Sequence, residues 1–126
     1  MAASAYYETS FARAKAAGLT DSVAAVAVAD AFLHGKPTGK ATGGERMAAF
    51  WSSTFIRELP PPAWTQESLR LALARYLAQD AVAVPGLVVH LASHAPDALQ
   101  WAARHSGLVS RQASPRFREI EALATS

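Results

Sequence analysis

The chain has 126 residues, 51% of them hydrophobic and 17% charged, which describes one globular domain and excludes an intrinsically disordered segment. It contains no cysteine, so disulfides, thiolate metal sites and a cysteine nucleophile are all ruled out. The formal net charge of +2 is too small to announce a nucleic-acid binder, although three cations and one acid fall between Lys36 and Arg46, and four cations and no acid between Arg104 and Arg118.

The expected fold is all-α, a compact bundle of about five to six helices formed by residues 1–126 as a single domain. Ser4 or Ala5 opens a first helix, and Gly18 with Leu19 closes it; Tyr7, Phe11 and Ala14 form its inward stripe. Thr20 or Asp21 caps a second helix that runs through His34 and stops at Gly35. Its Val/Ala-rich sequence is apolar nearly all round, and such a helix is expected to be buried on several sides. After a basic, glycine-containing loop, Thr42 and Glu45 form a capping box that starts a third helix reaching Glu58. Met47, Phe50, Trp51, Thr54 and Phe55 fall at helical spacing along it.

Pro60-Pro61-Pro62 ends that helix as a stiff connector, and Thr65 is placed to cap a fourth helix over residues 66–79, with Trp64 and Leu69 as a hydrophobic staple. Leu69, Leu73, Tyr76 and Leu77 are its core face. Residues 81–92 are ambiguous. Their β-branched valines and the Pro85-Gly86 turn allow a short hairpin, whereas Pro85 as a first helical residue allows a helix, which is preferred. Pro96-Asp97 starts a helix that ends near Gly107, and Ser114-Pro115 starts the last one, carrying Phe117, Ile120 and Leu123. Residues 81–95, the longest nearly uncharged stretch, are too few and too interrupted to span a bilayer. With no basic and apolar leader at Met1–Glu8, a cytoplasmic protein without membrane association is expected.

Four constellations could carry chemistry. Lys36, Lys40 and Arg46 surround a loop whose glycines offer backbone N–H groups to an anion, but the spacing departs from the P-loop pattern. Asp30 and His34, four apart on an apolar helix, could act as an acid/base pair, Asp30 orienting the imidazole. His90 and His94 project from one helical face and could share a metal, although no His-Glu-x-x-His motif accompanies them and His105 lies too far along to join. Arg104, Arg111, Arg116 and Arg118 could contact nucleic-acid phosphates without reading sequence. Ala14–Thr20 has the spacing of a helix-turn-helix turn, yet the helix after it carries nothing to read bases. No Gly-x-Ser-x-Gly is present, and no catalytic set is assembled.

The leading expectation is therefore a non-catalytic interaction module, self-associating as a homodimer and binding a protein partner, with no cofactor. A metal- or small-molecule-binding protein centred on His90 and His94 is the first alternative, and a non-specific nucleic-acid binder using the basic C-terminal segment is the second.

Overall fold

The computed structural model describes residues 3–34, 43–79, 82–107 and 115–125. Its elements are α1 (Ala3–Ala16), α2 (Asp21–His34), α3 (Gly43–Trp51), α4 (Thr54–Glu58), a 3-10 helix (Pro61–Thr65), α5 (Glu67–Leu77), α6 (Leu87–His94), α7 (Pro96–His105) and α8 (Pro115–Thr125). The fold is all-α, with more and shorter helices than the five or six expected, and no strand among the described residues.

α1 ends as its sequence dictates. Gly18 takes a left-handed φ of 98°, the Leu19 N–H donates to the Ala14 carbonyl and the Gly18 N–H to that of Lys15, which is the paired bonding of a Schellman stop. Thr20 accepts from the Val23 N–H through its hydroxyl and so caps α2. At the other end of α2, Arg46 donates to the Phe32 carbonyl and Arg75 to the Leu33 carbonyl, so two arginines from α3 and α5 occupy carbonyls that the helix itself cannot satisfy.

The third helix predicted to reach Glu58 is two helices. Ser53 leaves the helical path with ψ 139°, its hydroxyl donates back to the Ala49 carbonyl, and Glu8 of α1 accepts from the Thr54 N–H at the start of α4. The break rotates the register, so Thr54 faces outward and Ile56 joins Met47, Phe50, Trp51 and Phe55 in the core. Thr65 is likewise not a helix cap. It belongs to the 3-10 helix, donates to the Pro62 carbonyl, and leaves Gln66 at the start of α5. Trp64 and Leu69 are both fully buried there.

The hairpin alternative for residues 81–92 is overturned. Residues 82–84 are irregular, Pro85-Gly86 form a turn, and α6 follows. Pro85 stops short of being helical because Gly86, with φ 76°, is the residue that precedes the first turn. Gly107 closes α7 with φ 75°.

One contiguous core joins these elements. Phe50 lies at its aromatic centre, edge-on to Tyr7, Trp51 and Phe55 and stacked on Phe32 at 4.7 Å. Trp51 stacks on Trp64 and contacts Tyr76, linking this centre to the 3-10 helix and α5. α5 packs along α2 and α7, and α8 packs on α6 with Phe117, Ile120 and Leu123 half-buried against the core. The central helix α2 is not buried all round. Ala24, Ala25, Val28, Ala29 and Phe32 are interior, while Val23, Ala27, Asp30, Ala31 and His34 face outward. No helix among the described residues is long and apolar enough to cross a membrane.

Candidate functional site

The amphipathic faces of α5 and α7 meet along a seam, and three cavities open on it. The first, about 290 Å³, is lined by Pro61, Trp64, Arg70, His94 and Asp97 among others. A second of about 460 Å³ shares Arg70 and Asp97 with it and adds Gln100, Trp101, Arg104 and His105. The third, about 380 Å³, shares His105 and reaches Leu33, His34 and Arg75. Asp97 is the one acid on their walls, against Arg70, Arg75 and Arg104.

Helical spacing makes this surface. Asp97, Trp101, Arg104 and His105 fall at i, i+4, i+7 and i+8 on α7, the face turned away from the buried Ala98, Leu99 and Ala102. The Trp101 and His105 rings stack at 4.5 Å and 8°, giving a flat aromatic pair beside the cations. Arg70 is anchored by its Nε, which donates to the Trp64 carbonyl at 2.9 Å. No ion pair ties Asp97 to any of the three arginines, so their charge is not neutralised locally.

Of the residues expected from sequence to carry chemistry, His94, Arg104 and His34 lie on this seam, one at each of its three cavities. Asp30 is exposed, and its carboxylate accepts from the Ser68 hydroxyl of α5. Arg46 caps α2 and lies 6.0 Å from the Phe32 ring centroid; Lys36 and Lys40, its supposed companions at an anion corner, lie outside the described residues. Arg116 is a correction to the basic-segment reading: it is 6% exposed, with its guanidinium 3.8 Å from the Tyr76 ring centroid, so it fastens α8 instead of facing a phosphate. Arg118 is exposed, and Arg111 is outside the described residues.

His90 and His94 do come together, with ring centroids 4.9 Å apart and planes 22° from parallel. A metal lies in the plane of each imidazole that binds it, and stacked rings direct their lone pairs along separate planes. The Nε2 of His94 donates to the Leu59 carbonyl at 2.8 Å, and no cluster of three metal-ligating residues occurs among the described residues. Burial, then the neighbouring His94, then Arg57 hold His90 below its ordinary pKa of 6.5.

That depression has a measurable consequence. The unfolded chain takes up a proton on His90 more readily than the folded one, so the stability His90 contributes is complete above pH 6.5 and is lost as pH falls through its lower folded value. Urea midpoints measured across this range should show an acid limb that His90→Gln flattens; a variant with an unchanged limb would place the proton uptake elsewhere.

Sequence reasoning missed Arg70, Arg75 and Trp101. The spacing of Trp101 and His105 on one helical face was available, but nothing local says that Arg70 comes to lie opposite them. Compared with known protein families, curated proteins and solved structures, the chain matches none.

Proposed function

We propose that this protein is a non-catalytic helical module that works by association, forming a homodimer through the outward face of α2 and binding a further macromolecule in that state. The observation that carries the reading is the composition of that face. Val23 is 50% exposed, and with the exposed Ala27 and Ala31 it forms a line at four-residue spacing along α2, extended by Leu19, 39% exposed, just before the helix. A monomer has no use for so continuous an apolar stripe, and small residues at its centre let a second helix approach closely. A two-fold pairing needs only this one patch, because each copy presents the same surface to the other. The three tryptophans contribute little to such a surface: Trp51 and Trp64 are fully buried and only Trp101 reaches the surface.

Light scattering coupled to gel filtration tests the reading. The wild-type chain is expected to elute with twice the monomer mass, and Val23→Glu with Ala27→Glu should convert it to monomer while the circular dichroism spectrum stays helical. A wild-type monomer, or a dimer that survives both changes, rejects it.

A further inference from the structure

We infer that the α5–α7 seam binds single-stranded nucleic acid, with Arg70 and Arg104 holding phosphates and the Trp101–His105 pair stacking on a base. The two arginines and the ring pair lie on α5 and α7, apart from the Val23–Ala31 stripe of α2, so the inference stands whether or not the chain dimerises. Three observations carry it.

Charge is the first. Four of the six other described arginines are committed to structure: Arg46 and Arg75 cap α2, Arg57 donates to the Pro85 carbonyl, and Arg116 lies over Tyr76. Arg70 spends only its Nε, on the Trp64 carbonyl, and Arg104 has no side-chain bond or ion pair among the described residues. These two guanidinium groups line the same 460 Å³ cavity. A planar, permanently charged guanidinium is suited to phosphate oxygens, which it can engage with two parallel bonds.

The aromatic pair is the second. Trp101 and His105 share that cavity, and their rings stack with nearly parallel planes. A flat ring pair beside cations suits a ligand with both planar and anionic groups, and stacking on aromatic side chains beside a basic track is how single strands are held without sequence readout. An acidic peptide would use the arginines and leave the rings without a role.

Shape is the third. The seam continues from the Pro61 end through Arg70 and Trp101 to His34, since each cavity shares a lining residue with the next. Along α7 the stretch from Asp97 to Ser106 spans about 14 Å at 1.5 Å per residue, enough for a short run of nucleotides. It is a groove between two helices, not a projecting helix of the kind that enters a duplex major groove. Asp97 stands one turn before Trp101, so phosphates are directed to the Arg104 side of the ring pair.

The test is titration of the full chain with a labelled oligodeoxythymidylate at low salt. Saturable binding is expected, weakening steeply as salt rises. Arg104→Gln, at an exposed position, should weaken it about fivefold and shallow the salt dependence by about one phosphate contact. Trp101→Leu should weaken it about tenfold, and Trp101→Phe should keep binding while abolishing the quenching of tryptophan emission, because Trp51 and Trp64 are buried. Helix content by circular dichroism accompanies each variant. The inference is overturned if the wild type does not bind, if Arg104→Gln binds as the wild type does, or if duplex DNA, a mononucleotide or polyglutamate binds as tightly as the single strand.

Discussion

Phe50→Ala should lower the free energy of unfolding by about 3–5 kcal/mol, the usual cost of emptying a buried aromatic position. Phe50 is completely buried and meets rings from α1, α2, α3 and α4, so its loss loosens four elements at once. A domain this size has about 5–15 kcal/mol of stability in total, so the variant should unfold at much lower urea with a similar slope. Neighbours cannot close the space cheaply, because Tyr7, Phe32 and Phe55 are each anchored in a different helix. Phe50→Leu retains part of the volume and should lose markedly less. Equal losses in the two variants would show that ring geometry, and not volume, sets the cost.

Tyr76→Ala should cost about as much, for a different reason. The Tyr76 ring is 2% exposed, contacts Trp51 on one side and carries the Arg116 guanidinium at 3.8 Å, while its hydroxyl accepts from the Val84 N–H at 3.0 Å. One side chain thus joins α3, α5, the segment before α6 and α8. Removing it leaves a cavity, an unbonded backbone donor and a buried cation without its ring, together about 3–5 kcal/mol. Tyr76→Phe isolates the hydroxyl and should cost about 1 kcal/mol. Arg116→Ala should cost up to about 2 kcal/mol, part of it lost packing of the alkyl stem. Hydrogen exchange should then show α8 opening before the rest. In a double-mutant cycle, Tyr76→Ala and Arg116→Ala should be strongly non-additive; simple additivity would deny that the ring and the guanidinium interact.

The arginines explain why charge counting could not find the site. The sequence shows a basic surplus concentrated between Arg104 and Arg118, but the fold turns Arg116 inward and uses Arg46, Arg57 and Arg75 to satisfy backbone carbonyls. Helix ends leave carbonyls without partners, and a guanidinium on a neighbouring helix can reach them. Which arginines are consumed in this way depends on which helices become neighbours. Arg70 and Arg104, 34 positions apart in sequence, face one cavity only because α5 lies along α7.

Local chemistry was sufficient for the helical class and for most helix ends. The stops at Gly18 and Gly107, the Thr20 cap and the Pro96 start all follow from residues within one turn of the boundary, where glycine relieves a left-handed φ and proline presets the first turn. The buried stripe of α5 follows from helical periodicity in the same way, as does the inner side of α1, where Tyr7 is buried and Phe11 and Ala14 are half-buried. Tertiary contacts decided the rest. The break at Ser53 is supported by Glu8 from α1, which accepts from Thr54 46 positions away, and the outward face of α2 exists because α1 and α5 cover the opposite side and no described helix covers this one. Hydrophobicity fixes that a residue is worth burying; only the arrangement of neighbours fixes whether it is. The all-α fold was therefore written in short stretches of the chain, while the seam and the α2 face came from packing between segments that no local rule connects.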